Sequence, residues 1–303
     1  MADPSTLTLR QLHLPGWLRI LRPLNVVLFF VGVLLGGILA GGSAVLSGDS
    51  AVRLVLAMVS AALIGGAGNV VNDLYDVDID RVNRPERPIP SGEVSLRTAR
   101  TMWITLTLLG LLVALWVSLI HLCIAFVSAV LLWTYSAKLK RIPAVGNLTV
   151  ALILGIAVLY GGLVPEDIEA VPVLVGALFA FLTTLAREIA KDLEDVEGDV
   201  MYDARTIPVV FGQKTAVRSV LALILATLFL LPLSAMFGFD PAFVGYALPA
   251  GFALLAAAWS ILAIAHTVDH EVPAETVRAA ASSSMWLKIT MIAGVLALAL
   301  SRL

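Results

Sequence analysis

The sequence predicts an all-α integral membrane protein that crosses the bilayer nine times, on three observations. Of its 303 residues 59% are hydrophobic and only 14% charged, at a mean hydropathy of +0.96, far from the composition of soluble domains. Apolar runs long enough to cross a hydrocarbon core about 30 Å thick recur along the whole chain. Basic residues gather in alternate loops, as the positive-inside rule requires of a multi-pass protein.

The first run, near 17–42, opens on "GWLRILRPLN", where Arg22 stands a few residues into apolar sequence beside a proline. The sixteen residues before it hold no short apolar core with a small-residue cleavage site, so the N-terminus is expected to be retained. Further runs lie near 52–75, 98–118, 120–137, 146–164 and 171–189, and then near 216–237, 243–265 and 284–301. With the N-terminus cytoplasmic, the loops after even-numbered runs share that side. There stand Arg81, Arg84, Arg87, Arg97 and Arg100, then Lys138, Lys140 and Arg141, then Arg187, Lys191, Arg205, Lys214 and Arg218. Opposite them are Arg53 and Arg302, an acidic "PEDIEA" loop, and a connection between the third and fourth runs of almost no length. The expectation is a multi-pass protein of the cell membrane with its N-terminus inside and its C-terminus outside.

Residues 1–303 read as a single domain with two ordered cytoplasmic caps, about 77–97 and 190–214. Pro85, Pro88, Pro90 and Gly92 punctuate the first, and Gly198 and Pro208 mark turns in the second. Cys123, the one cysteine, excludes an internal disulfide and reads as core packing. His13, His121, His266 and His270 have no ligand spacing, and no basic patch with interleaved aromatics suggests nucleic acid.

Charge concentrates where two apolar runs end, in "NDLYDVDIDRVNRP" and "DLEDVEGDVMYDARTIP", alike enough to suggest a weak internal repeat. At about 100° per residue, Asn69, Asn72, Asp73, Asp76 and Asp80 fall within one arc while Asp78 points away. Glu188, Asp192, Asp195 and Asp199 form a narrower stripe, from which Glu194 and Glu197 diverge. A solvated face is the bland reading. It loses ground because apolar sequence runs up to Asn72 and Arg187, and a carboxylate at a helix centre costs roughly 2.5–3.5 kcal/mol on insertion scales.

Carboxylates so crowded repel one another unless a cation sits among them. Oxygen donors without His or Cys select hard ions, and Mg²⁺ typically takes one or two carboxylates plus phosphate oxygens and water. The EF-hand spacing of calcium sites is absent. The acidic stripes therefore imply a phosphorylated ligand, for which Arg22 with Asn25, Arg81, Arg84, Arg87, Lys138, Lys140, Arg141, Lys191 and Arg205 are candidate partners. Each alone reads as a topology signal or snorkelling anchor. Tyr135 offers a ring face to a cation, although an interfacial aromatic belt is the commoner role. Mg²⁺, a diphosphate clamp and apolar walls suit ionisation of an allylic isoprenyl diphosphate.

"NDLYDVDID" and "DLEDVEGD", with "RPLN" and "YSAKLKR", resemble the aspartate motifs and flanking segments of the UbiA superfamily of intramembrane prenyltransferases across nearly the whole chain. The resemblance implies a bundle of nine helices around a central cavity open to lipid, with capping loops over a Mg²⁺–diphosphate site. It implies Asn72, Asp76, Asp80, Asp195 and Asp199 as metal ligands and Asp76, Asp80, Asp192 and Asp195 as catalytic, with Asp73 and Glu188 accessory. "NRPERPIPSG" and "REIAKDLEDVEGD" are most similar to the superfamily's digeranylgeranylglyceryl phosphate synthases. That implies an isoprenyl diphosphate donor, a prenylated glyceryl phosphate acceptor, and Asp192 as candidate acceptor of the hydroxyl proton. Prenylation of an aromatic ring on the same scaffold is the alternative. A cation-coupled transporter is a second, and it predicts acids in span interiors.

Overall fold

A computed structural model describes residues 14–201, 204–234, 243–262 and 274–303. The segment expected to hold no signal peptide falls largely within 1–13, and His13, His266 and His270 also lie outside the described residues. The described chain is helical, without strands. In order it forms α1 (Gly16–Arg19), α2 (Pro23–Gly41), α3 (Gly48–Tyr75), α4 (Val77–Asn83), α5 (Leu96–Val117), α6 (Leu119–Ala137) and α7 (Val145–Gly162). There follow α8 (Ala170–Glu194), α9 (Val196–Met201), α10 (Ile207–Phe211), α11 (Gln213–Ser234), α12 (Phe243–Leu262) and α13 (Ala274–Leu300).

Among the described residues, eight helices are long and apolar enough to cross a membrane: α2, α3, α5, α6, α7, α8, α11 and α13. The remaining expected run corresponds to α12, whose apolar described stretch, Ala247–Leu262, is shorter. Local chemistry sets the boundaries. Ser95 caps α5 by accepting from the Thr98 amide, and Ser118 ends α5 in extended backbone while capping α6 by accepting from the His121 amide. Two apolar helices thereby join through one serine.

The structure corrects three expectations. The first run is not one helix: Arg22, at φ 50 and ψ 73, separates α1 from α2. The last begins at Ala274, well before residue 284, because its first turns are polar and bury that polarity inside the protein. There Thr276 is fully buried, and Ser283 donates to the Ala257 carbonyl of α12 at 3.1 Å. Cys123 is exposed rather than packed, on a helix that turns most of its surface outward, where lipid satisfies an apolar thiol as well as a core does.

Two apolar cores meet along the helix pair α2 and α7. One binds α2, α3, α5, α6 and α7; the other binds α2 and α7 to α8, α11, α12 and α13. Helices in lipid associate by close backbone approach rather than by a hydrophobic drive, so small residues mark their seams. Here a Cβ on Gly36 would lie 1.9 Å from the Val158 carbonyl oxygen, and one on Gly161 would lie 1.8 Å from that of Val33. A third apolar cluster, Ile20, Val70, Val77, Ile89, Val94 and Ala99, fastens the loop between α4 and α5 over the end of α3. Arg19 ties down the same loop through Glu93 at 2.8 Å and the Glu86 carbonyl at 2.5 Å.

Gly36→Ala and Gly161→Ala each force the seam open and should lose at least about 2 kcal/mol of stability. Gly251→Ala, where a Cβ meets nothing within 4 Å, should leave the midpoint of thermal unfolding in detergent at or above the parent's.

Candidate functional site

Both acidic segments lie where a long helix bends into a short one. Asp76, at φ −99 and ψ 2, ends α3 and starts α4; Asp195, at φ −93 and ψ 3, stands between α8 and α9 in the same way. The i to i−4 ladder survives each bend: the Asp76 amide donates to the Asn72 carbonyl at 3.0 Å and the Asp80 amide to that of Asp76 at 2.8 Å. Likewise the Asp195 amide reaches Lys191 and the Asp199 amide reaches Asp195, both at 2.9 Å. Each stripe read from helical spacing therefore persists while its axis swings, and the suggested repeat recurs as one structural unit.

Cations from other elements hold the first stripe. Asp73, buried in α3, pairs with Arg22 and lies 3.6 Å from Arg87, which also donates to buried Asp80 at 2.5 Å. The left-handed backbone of Arg22, uncommon outside glycine, carries this contact. Asn25 donates to Asn69 at 3.4 Å, and Asn69 donates to the Leu21 carbonyl at 2.7 Å, which fixes the α1–α2 corner against α3. Lys140, in the 3₁₀ turn after α6, reaches Asp76 at 2.5 Å and Asn72 at 3.4 Å, while Asn72 donates to Asp76 at 3.1 Å.

The second stripe is held less tightly. Glu188 pairs with Arg187 at 2.9 Å and Lys191 at 3.5 Å. Asp192 accepts from Asn147, on the first turn of α7, at 2.8 Å. Asn147 was not anticipated; its signal was an amide embedded in "VGNLTVALIL", an otherwise apolar run. Burial pushes the Asp199 carboxyl above the usual carboxylate range, and the charge of Asp195 adds to the effect. A neighbouring cation opposes both effects by favouring the ionised carboxylate.

Tyr135, near the end of α6, joins the two stripes. Its hydroxyl lies within electrostatic range of Asp76 and Arg22 from one and of Glu188 and Asp192 from the other. Deeper along the same helices, a small apolar cavity of about 40 Å³ lies between α2, α3, α6 and α7. Phe29, Gly65, Leu132 and Ile153 are among its walls; Gly65 gives the Phe29 ring its place, since a Cβ there would meet it at 2.2 Å.

Other expected residues stand apart. Arg81 pairs with Asp78 at 2.9 Å on the outward face, their side chains 61% and 94% exposed. Asp195, Arg84, Lys138, Arg141 and Arg205 are exposed at the same end of the bundle. The expected turn at Gly198 lies instead inside α9, and the bend falls at Asp195; Pro208 sits in the first turn of α10, where a proline is tolerated. Among the described residues, no three acidic or histidine side chains converge to grip a metal unaided. Such a donor set fits Mg²⁺ whose remaining ligands are phosphate oxygens and water, and does not fit a closed protein cage.

Residues 29–286 match the UbiA prenyltransferase family. The chain is 37% identical over 285 residues to the digeranylgeranylglyceryl phosphate synthase of Methanopyrus kandleri, covering 93% of this chain and 97% of that one. With the enzyme of that name from Ignicoccus hospitalis it shares 35% over 298 residues, 96% and 92% of the two chains. A solved structure concerning digeranylgeranylglyceryl phosphate synthase in membranes superposes with a TM-score of 0.78 at 26% identity, over 95% of this chain and 97% of that chain. A UbiA homologue from Archaeoglobus fulgidus, solved with GPP and Mg²⁺, shares the fold at a TM-score of 0.63 and 19% identity, over 92% and 99%.

Removing Arg87 leaves Asp80 without its cation and Asp73 with Arg22 alone. Breaking a buried pair costs about 3–5 kcal/mol, and Arg87→Ala should lose about 3 because Arg22 remains. Arg81→Ala breaks only an exposed pair and should leave the unfolding midpoint in detergent unchanged.

Proposed function

The chain belongs to the UbiA prenyltransferase family, and from that premise we propose that it transfers a geranylgeranyl group from geranylgeranyl diphosphate to the free hydroxyl of geranylgeranylglyceryl phosphate. The observation that carries this reading is Tyr135, within electrostatic range of both acidic stripes, with a small apolar cavity deeper along its helix. The synthases similar to it over nearly their whole length support the choice of acceptor.

Asn72, Asp76 and Asp80 on one side and Asp195 and Asp199 on the other would hold Mg²⁺, which when bound neutralises charge building on the departing diphosphate. Lys140 and Arg87 lie beside those carboxylates and take diphosphate oxygens, Lys140 as a point charge and Arg87 through its planar fork. Arg22 and Asn25 hold Asp73 and Asn69 in place, so α3 presents its carboxylates at a fixed angle. Tyr135 turns its ring toward the allylic carbon and stabilises positive charge there. As the allylic C–O bond breaks, its electron pair leaves with the diphosphate, and the acceptor oxygen forms the new ether bond. Asp192, oriented by Asn147, takes the hydroxyl proton. Glu188 keeps Lys191 and Arg187 on the second stripe, and the exposed Arg84, Lys138, Arg141 and Arg205 receive the acceptor phosphate. The apolar walls exclude water from the cation.

We further propose nine spans, with α12 the eighth, in a cell membrane whose cytoplasmic side holds the N-terminus, the site and its caps, the C-terminus lying outside. The concentration of arginine and lysine at the aspartate end supports this orientation. Lipid surrounds the bundle and supplies the acceptor. Acids gathered at helix bends rather than at mid-span weigh against a transporter.

Labelled geranylgeranyl diphosphate with Mg²⁺ should give product with geranylgeranylglyceryl phosphate and none with 4-hydroxybenzoate; product from the aromatic acid alone rejects the ether-lipid reading. Asp76→Ala and Asp195→Ala should each lose about a hundredfold or more in turnover while eluting as folded protein. Near-parental activity in both would overturn the metal assignment.

A further inference from the structure

Resting on the geranylgeranyl donor just proposed, we infer that Tyr160 closes the far end of the donor chamber and sets the prenyl chain length the protein accepts. The cavity beneath Tyr135 is walled by apolar groups such as Ile64, Leu132 and Ile153, but its far end is polar, made by Tyr160 with Ser60. A polar group buried between membrane helices is costly unless it is bonded. These must therefore be matched to one another, and they are.

The Ser60 hydroxyl donates to the Gly110 carbonyl of α5 at 2.9 Å, so its contact with the Tyr160 hydroxyl, also 2.9 Å, has the tyrosine as donor. Tyr160 lies in the last turn of α7, where carbonyls lack intrahelical partners, and its carbonyl accepts from His121 Nε2 of α6 at 3.1 Å. With its proton on Nε2, His121 accepts at Nδ1 from Ser118 at 2.6 Å, and its ring stands edge-on to the Tyr160 ring with centroids 4.7 Å apart. Groups from α3, α5 and α6 thus pin one side chain of α7. An aliphatic residue would fill the space but swing through rotamers; a tyrosine fixed at hydroxyl, ring and backbone cannot give way to an advancing chain.

The distance from the site to Tyr160 agrees with the donor, and the cavity, lined from Gly65 to Ser60 on α3 and from Ile153 to Tyr160 on α7, takes the far half of it. Ser60 precedes Asn72 by three and a third turns of α3, about 18 Å, and Tyr160 follows Asn147 by about 20 Å along α7. A geranylgeranyl chain, extended with carbon–carbon bonds of about 1.5 Å, spans about 20 Å. Farnesyl leaves the end unfilled, and geranylfarnesyl overruns it by one isoprene unit.

The test compares kcat/KM for farnesyl, geranylgeranyl and geranylfarnesyl diphosphates on the full chain in membranes, at fixed Mg²⁺ and acceptor. Tyr160→Ala should raise the geranylfarnesyl-to-geranylgeranyl ratio by at least about tenfold, and Tyr160→Leu by less, whereas Tyr160→Phe keeps the parent's order of preference. A buttress acting only on stability would scale all three donors together, and an unchanged ratio in Tyr160→Ala overturns the inference. In case that variant does not fold, the parent protein is labelled with a geranylgeranyl diphosphate carrying a diazirine on its terminal isoprene. Crosslinks to the peptides holding Tyr160 or Ser60 support the stop, and crosslinks confined elsewhere overturn it. Labelling needs no acceptor, so it separates this inference from the acceptor assignment: an inactive but correctly labelled protein rejects only the latter.

Discussion

Carboxylates at the edge of a bilayer must be neutralised by groups reaching them from other parts of the chain, and the arrangement of this protein follows from that requirement. Asp73 and Asp80 are almost fully buried, and a buried charge without a partner is among the costliest things a fold can contain. Arg22 arrives from the corner before α2, Arg87 from the loop after α4, and Lys140 from the turn after α6. Three elements separated in sequence are thereby drawn to the end of α3. The loop carrying Arg87 is ordered for the same reason, with Ile89 and Val94 buried beneath it. A cap over the site and a counter-ion for the site are one feature.

The two bends solve a geometric problem that a straight helix does not. Residues spaced four apart on one helix face lie about 6 Å apart along the axis, so two neighbours can share one small ion but three in a row, spread over about 12 Å, cannot. Swinging the axis at Asp76 and at Asp195, while keeping the ladder bonds, changes how Asp80 and Asp199 stand relative to the turns before them. The ions still need outside oxygens, since the described side chains do not close a cage. On the metal assignment proposed above, diphosphate would supply the remaining ligands and metal binding would be coupled to donor binding.

Much of this was legible in the residues, and the omissions have a common cause. Hydropathy located every described span, and spacing placed Asp78 outside the stripe, where it is nearly fully exposed. Periodicity assigns a residue to a face of its own helix but does not say which helix that face meets. Asn147 and Tyr160 were therefore missed, and His121 was weighed only as a metal ligand: each is a single polar group in an apolar run, and its partner lies on another helix. Arg22 was noticed for its depth, yet its left-handed backbone follows from the tertiary pairing with Asp73, not from local propensity. The polar start of α13 was excluded from its span because a hydropathy window counts buried, bonded serines as if they met lipid.

A donor with a charged head and a long apolar tail demands opposite environments within one molecule's length, and α3 supplies both. Its last turns carry Asn69 to Asp76, while its middle is thinned by Gly65, Gly66 and Gly68 where Phe29 and Leu132 pack close. Head recognition is electrostatic and would tolerate any prenyl diphosphate, since every donor presents the same oxygens. Discrimination among tails has to come from shape, and apolar walls alone discriminate weakly because lipid-like side chains yield. A hydrogen-bonded stop at the far end converts a yielding wall into a fixed length. Polar groups at both ends of an apolar chamber then have different tasks, one to draw charge off the reacting carbon and the other to measure the chain behind it.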